Sequence, residues 1–370
     1  MKAKFMYEKV YQQLFNKIKN GEYKSGSVIP SERELCQEYD VSLITVRRAL
    51  KELEELGLIR KFKGKGSVVN ENIKSTDTKQ LKKTIGILDV PFMTQVASTY
   101  PDVPVFLNSH NANQWKETIY FAIQKALIPE YNVFFGTYTK EQIMNQFDTT
   151  VFRDIERILI TGYYDKEMIE LLNAKGKMIL LFNNFDDEIR ACNVTSDERK
   201  MTFEAVNRLI QLGHRKIAAI NGDITYSESI ERYMGFQMAM VQNQVMLNSH
   251  YVKWGNMTAQ SGYYLTKELV RQGDIPTAIV CVNDNVAAGV IIALREIGIK
   301  CPDEISVVGH DNNELAFAEV FPELTTIDPK YETIGEEIAR KLIRNVWVED
   351  TSVIESELIY RGSISRVRDL

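Results

Sequence analysis

Cysteine and histidine are scarce in this chain of 370 residues, with four of each. Cys36, Cys192, Cys281 and Cys301 lack CxxC spacing, which argues against a zinc ribbon, a redox dithiol and a disulfide scaffold. Each reads instead as a small buried hydrophobe. His110, His214, His250 and His310 lie far apart in sequence and read as structural rather than catalytic. No apolar run approaches the roughly 20 residues that span a bilayer. Met1 to Val10 carries Lys2, Lys4, Glu8 and Lys9 with no apolar stretch behind it, so a secretory signal is not expected and the chain reads as cytoplasmic. GxGxxG, P-loop, GxSxG and HExxH motifs are also missing, which leaves an enzyme unsupported and no metal or cofactor expected. The composition itself, 44% hydrophobic and 26% charged, rules out a disordered or fibrous chain. At roughly 100 to 200 residues per domain the length implies two or three domains.

Charge is unevenly placed. Residues 1–74 hold fifteen basic residues against ten acidic, a balance of +5 in a chain whose total is −5, which suggests a polyanion partner for the head alone. Within that head, Tyr7, Val10, Tyr11, Leu14 and Ile18 recur at helical spacing, and Asn20-Gly21 stops the helix. Ser31 is placed to cap a second helix over Glu32 to Tyr39, with Glu34 at the capping-box position. Ser42 caps a third over about Leu43 to Leu56. That helix puts Val46, Ala49, Leu50 and Leu53 on one face and Ile44, Arg47, Arg48 and Lys51 on the other. Leu58 to Val69 then reads as two short strands joined by a basic glycine-containing turn. Helix, helix, turn, helix and basic hairpin make a winged helix-turn-helix, which lays its last helix in the DNA major groove.

The wording of the head resembles the GntR family: Gly21-Glu22-Tyr23, Ile29-Pro30-Ser31-Glu32-Arg33-Glu34-Leu35, Val41-Ser42 with Thr45-Val46-Arg47, Gly57-Leu58-Ile59 and Gly64-Lys65-Gly66. The resemblance implies operator contacts by Arg33, Ser42, Thr45, Arg47 and Arg48, with the wing residues Lys63, Lys65 and Gly66 approaching the minor groove. One position departs. The family usually has Arg after the Val-Ser pair, and this chain has Leu43, which cannot make a bidentate pair with guanine.

Residues 71–83 form a polar linker that cannot bury a core of its own. From Thr84 short apolar runs alternate with helical patterns. Strands are expected at Ile85–Val90, Asn132–Tyr138, Arg157–Thr161, Met178–Phe182, Lys216–Asn221, Thr277–Asn283 and Ile305–Gly309. Helices are expected at Asp197–Leu212, Ser227–Gln242, Thr258–Gln272 and Asn285–Ile297. Such alternation implies α/β architecture with doubly wound parallel sheets, and nearly 290 residues of it imply two lobes around a cleft.

Leu212-Gly213-His214-Arg215, Arg232-Tyr233-Met234-Gly235-Phe236, Val282-Asn283-Asp284 and Pro302-Asp303-Glu304-Ile305-Ser306-Val307-Val308-Gly309-His310-Asp311 resemble the sensor of the LacI family, itself similar to periplasmic sugar-binding proteins. The resemblance implies three chain crossings between lobes, placed near Asn193, Thr326 and Ser352. The first lobe is then 84–192 with 327–351, and the second 194–325 with 353–366. It implies Arg232, Asn283 and Asp311 for ligand hydroxyls, Asn183 from the first lobe, and Met257 where relatives place an aromatic. Local alternatives remain: a helix N-cap for Asn283, a turn for Asp311, core packing for Met257, and an ion pair of Arg232 with Glu228 or Glu231. The segment Pro91 to Trp115 departs from the pattern and reads as a loop.

A GntR-type head on a LacI-type sensor resembles the AraR-type arabinose repressors. The fusion implies a homodimeric repressor of carbohydrate-utilisation genes, released from operator DNA by a small sugar such as L-arabinose or another pentose. Two alternatives stay open: a regulator, or an activator, that senses a nucleobase through aromatics near Met257 and Tyr163-Tyr164, and a cleft enzyme using Asp89 or Asp284. The head's patterning yields the first prediction. Arg47→Ala should weaken operator binding by at least about tenfold, and wild-type affinity should fall steeply with salt, as read by fluorescence anisotropy. An affinity unmoved by the substitution would remove the third helix from the groove.

Overall fold

The structure, a computed structural model, describes residues 10–11, 13–15, 17–18, 22–39, 41–55, 58–62, 66–70, 83–91, 114–128, 130–146, 152, 155–271, 273–313, 322–344 and 347–367. The chain divides into two units, Met1–Lys82 and Lys83–Leu370. Lys63, Lys65, the linker up to residue 82 and most of the Pro91 to Trp115 segment lie outside the described residues.

In the head, α1 (Glu32–Tyr39) starts as its sequence dictates. The Ser31 amide donates to Glu34 Oε2 at 2.6 Å and the Glu34 amide to Ser31 Oγ at 3.3 Å, a reciprocal capping box. α2 (Leu43–Glu55) follows, then the antiparallel strands β1 (Ile59–Phe62) and β2 (Gly66–Val69), with Ile59 opposite Val69 and Phe62 opposite Gly66. One core holds the module together: Val10, Leu14 and Ile18 from the first helical stretch meet Leu35, Val46, Leu50, Leu53, Ile59 and Val69.

The second unit contains two six-stranded sheets. The first is built from β3 (Thr84–Val90), β4 (Asn132–Thr137), β5 (Ile155–Gly162), β6 (Met178–Phe182), β7 (Cys192–Ser196) and β13 (Thr351–Ile354), in the order β13-β7-β6-β5-β3-β4 and all parallel. Between these strands run α3 (Gln114–Leu127), α4 (Lys140–Gln146) and α5 (Lys166–Ala174). The second sheet has β8 (Ile217–Asn221), β9 (Val252–Trp254), β10 (Ala278–Cys281), β11 (Ser306–His310), β12 (Thr325–Asp328) and β14 (Glu357–Ile359), in the order β14-β12-β11-β10-β8-β9, with only β14 antiparallel. Its helices are α6 (Glu198–Gln211), α7 (Ser227–Gln242), α8 (Ala259–Arg271) and α9 (Asp284–Glu296), while α10 (Tyr331–Leu342) returns to the first sheet. The inner strands β8, β10 and β11 are buried at every residue, as the unalternating Ile217-Ala218-Ala219-Ile220 run requires when helices cover both faces. Of the cysteines, Cys192 and Cys281 are buried and Cys36 and Cys301 half-buried, so the latter two only partly fit the reading as core residues.

Each crossing between lobes falls a few residues later than expected. β7 stays in register with β13 through Thr195 and Ser196, so the first crossing is at Asp197 rather than Asn193. β12 pairs β14 through Asp328, which moves the second from Thr326 to residues 329–330. β13 runs to Ile354 and β14 begins at Glu357, which moves the third from Ser352 to 355–356. The reason is common to all three: ladder hydrogen bonds hold a strand to its end, and the chain leaves the sheet only where they stop. The lobes are therefore 84–196 with 331–354, and 198–328 with 357–367.

Two glycines let α8 and α9 pack backbone to backbone. A Cβ on Gly289 would lie 1.9 Å from the Ala259 carbonyl oxygen, and one on Gly262 would lie 2.2 Å from that of Val286. Gly289→Ala should therefore destabilise the sensor by about 1 to 3 kcal/mol through overpacking. Denaturant unfolding of the full chain should show this loss in the sensor transition, and an unchanged midpoint would mean that the helices can slide apart freely.

Candidate nucleic-acid interface and ligand cleft

Helix α2 presents Arg47, Arg48 and Lys51 to solvent and turns Val46, Ala49, Leu50 and Leu53 inward, as its periodicity requires. Arg33, Ser42 and Gly66 are exposed as well, and Gly66 adopts φ +85° where the wing returns. Thr45 is the exception among the expected DNA contacts that are described: it is only 8% exposed, because its position on the helix falls with Val46 and Ala49. Its amide donates to Ser42 Oγ at 3.3 Å and the two hydroxyls lie 2.8 Å apart, so this pair secures the helix start.

Glu32 is a participant that the sequence pattern did not single out. Arg47 Nε donates to Glu32 Oε2 at 2.8 Å and Lys61 Nζ to Oε1 at 2.6 Å, linking α1, α2 and the wing strand β1. Those two cations, Lys61 first, hold the Glu32 carboxyl below its ordinary range. Exposed pairs of this kind are worth about 0 to 1 kcal/mol, so a phosphate or a base edge can compete for either cation.

In the second unit the expected ligand residues divide. Arg232, on α7, is 9% exposed and ion-paired: its Nε donates to Glu198 Oε2 at 2.6 Å, another guanidinium nitrogen reaches the Val282 carbonyl, and Nη2 lies 3.5 Å from Asp311 Oδ1. Its partner is thus Glu198, at the start of α6, and not Glu228 or Glu231; Glu231 is taken by Arg199 at 2.7 Å. Burial alone would raise the Glu198 pKa, but Arg232 and His310 outweigh it and hold the carboxyl well below its ordinary value. His310 closes the cluster, with Nε2 3.0 Å from Glu198 Oε2 and Nδ1 3.1 Å from Asp311 Oδ1.

Asn183 directly follows β6, at φ 57°, and is 4% exposed. Its Oδ1 accepts from Thr195 Oγ1 at 3.0 Å, and its Nδ2 donates to Glu228 Oε1 at 3.3 Å, a contact between the lobes. Asn283 caps α9: Oδ1 accepts from the Val286 amide at 2.9 Å and Nδ2 donates to the Met257 carbonyl at 3.1 Å. Met257 packs against the core of the second lobe, its methyl group close to Gly222. For these two residues the local alternatives describe what the geometry shows.

A cavity of about 350 Å³ opens beside the cluster, lined by Gln114, Trp115 and Thr118 of α3, by Asp311 and Asn312, and by Asp328 and Tyr331 at the second crossing. Asp311 is the one expected ligand residue on its wall. Trp115 does not lie in a loop but in the first turn of α3, where its ring packs, tilted, with its centroid 5.6 Å from that of Phe182 and 5.9 Å from that of Tyr331. The Tyr331 hydroxyl donates to Asp311 Oδ1 at 2.8 Å, joining α10 of the first lobe to β11 of the second. An indole face beside carboxylates, amides and a phenol suits a ligand with several hydroxyls and a C–H face. Neither Trp115 nor Tyr331 stood out in sequence, since each also packs against the core of the first lobe and reads there as an ordinary core aromatic.

The groups considered for an enzyme or a base sensor are otherwise engaged. Asp89 accepts from Lys116 Nζ at 2.7 Å and Thr161 Oγ1 at 3.2 Å. Asp284 is fully buried and accepts from Thr326 Oγ1 at 2.6 Å and the Asn313 amide at 2.7 Å. Tyr163 donates to Asp165 and Tyr164 to the Asn183 carbonyl, and neither lines the cavity. Among the described residues no helix is long and apolar enough to cross a membrane.

Comparison with known proteins places both halves. Residues 6–69 match the bacterial regulatory proteins of the gntR family, and residues 206–364 match a periplasmic binding protein-like domain. The arabinose metabolism transcriptional repressor of Geobacillus stearothermophilus is 27% identical over 97% of this chain and 95% of its own length. The HTH-type transcriptional repressor PurR of Haemophilus influenzae is 24% identical over 73% of this chain and 83% of its own. Among solved structures, the transcriptional regulator CelR–cellobiose complex superposes with a TM-score of 0.64 at 20% identity, over 87% of this chain and 91% of that one, a likeness of fold.

The buried acids of the second lobe set a pH dependence. Burial, helped by the Asp311 charge, pushes Asp284 up to about 8. For His310, burial and the Arg232 charge act downward, but Glu198 and Asp311 outweigh them and raise its pKa. An unfolded aspartic acid loses its proton near pH 4, so between there and about 8 the native state holds the extra proton and stability falls as pH rises. His310 adds the same sign above its ordinary value. The sensor should be about 2 kcal/mol less stable at pH 8 than at pH 6, by denaturant unfolding, with Asp284→Asn flattening the slope. A profile that is flat or rising in the wild type would contradict the buried acid.

Proposed function

We propose that this chain, a transcriptional regulator joining a gntR-family DNA-binding head to a periplasmic-binding-protein-like sensor and not an enzyme, represses genes of carbohydrate use and leaves its operator when a small sugar fills the cleft. The observation that carries the reading is the likeness to an arabinose metabolism repressor over 97% of the chain, running through head and sensor together. Either half alone would leave the pairing of signal and output open. The cavity chemistry supports the same ligand class, since Asp311, Asn312, Asp328 and Gln114 offer acceptors and donors for hydroxyls while Trp115 covers an apolar face. L-Arabinose or another pentose is the leading effector. A nucleobase stacking on Trp115 is a second reading, favoured by the same ring.

The working unit is proposed to be a cytoplasmic homodimer, because one short recognition helix reads too few base pairs for a unique operator. Effector and DNA must then be coupled reciprocally: whatever factor the sugar removes from DNA affinity, DNA removes from sugar affinity.

The sensor contacts give a prediction. A ligand at 100 times its dissociation constant adds about 2.7 kcal/mol to the state it binds, so a thermal-shift screen of pentoses, disaccharides and nucleobases identifies the class. Asp311→Ala and Trp115→Ala should abolish the shift and yield a repressor that stays on DNA. Arg232→Ala should abolish the response too, but it also strands Glu198 and costs about 3 to 5 kcal/mol of stability. Retention of full sugar affinity by the Asp311 and Trp115 variants in calorimetry would move the effector out of this cavity.

A further inference from the structure

Leu43 is the first residue of α2 and is 38% exposed. It stands one helical turn before Arg47 on the same stripe, and the described side chains of that sector are otherwise charged: Arg47, Arg48, Lys51 and Glu54. The head's core does not use Leu43, being closed on the opposite side by Val46, Ala49, Leu50 and Leu53. In a helix-turn-helix module the first residues of this helix reach the base edges.

An aliphatic side chain has no donor or acceptor, so most of the major-groove floor would lose water to it without receiving a hydrogen bond. The C5-methyl of thymine is the one apolar feature there that it matches. We propose that Leu43 is a specificity determinant that packs on a thymine methyl, so that each operator half-site carries thymine where an arginine at this position would demand guanine. Arg47, one turn further on, then reads or clamps the adjacent step. The inference rests on the head being a DNA reader, and it adds which base the reader requires.

The full-length protein is used to select duplexes from a randomised pool, and each thymine of the selected half-site is then replaced singly by deoxyuridine, which differs only in lacking the methyl. One thymine per half-site should prove sensitive, with wild-type affinity falling about fourfold, the worth of one buried methyl. Leu43→Ala should bind the thymine and deoxyuridine duplexes equally, Leu43→Met should keep the discrimination, and Leu43→Arg should reselect guanine at that position. Wild-type binding indifferent to every methyl, or a methyl effect that persists in Leu43→Ala, overturns the contact while the DNA-reading head stands. A pool from which the wild type selects nothing overturns the head assignment, and this inference with it.

Discussion

The buried pair of Glu198 and Arg232 is the interaction on which the sensor depends. Placing a carboxylate and a guanidinium out of water costs several kcal/mol each, and that cost is offset only if nearly every charged atom finds a partner. Here they do: Ser196 Oγ donates to Glu198 Oε1 at 2.6 Å, His310 and Arg232 share its other oxygen, and Arg232 reaches onward to Val282 and Asp311. Glu198 follows the first crossing directly, so the cluster fixes where the chain enters the second lobe and ties α6 and α7 to the ends of β10 and β11. The Asp311 carboxylate, held from one side by this cluster, faces the cavity with the other.

On the proposed function, that arrangement gives a route from ligand to conformation. Tyr331 to Asp311 and Asn183 to Glu228 are hydrogen bonds between lobes, made by residues at or beside the cleft. On that reading, a ligand hydroxyl that competes for Asp311 acts on the Tyr331–Asp311 bond, one of the hydrogen bonds between the lobes. It shifts the population only by as much as it prefers one arrangement over the other.

In the head the controlling physics is weaker and more exposed. Glu32 gathers Arg47 and Lys61, and the small worth of such pairs lets another anion compete for both cations. On the proposed function, phosphates supply most of the affinity and its salt dependence, and the side chains at the start of α2 are left to supply the discrimination.

The sequence by itself determined the module order, the capping of α1, the exposed basic face of α2, and most strands of the two sheets, because those features follow from local periodicity and capping chemistry. Of the residues that it offered for ligand hydroxyls, Asp311 lines the cavity and Arg232 lies behind it in a buried ion pair. Only the tertiary structure decided that Arg232 belongs to Glu198, some thirty residues away in sequence, that Thr45 turns inward, and that Trp115 and Tyr331 come from separate segments to wall one cavity. It also decided where the chain crosses between lobes, since strand ends such as Ser196 are set by partners in β13 that lie far along the chain. Local pattern tells which face of an element is apolar, whereas the choice of partner for a buried charge depends on which elements the fold brings together.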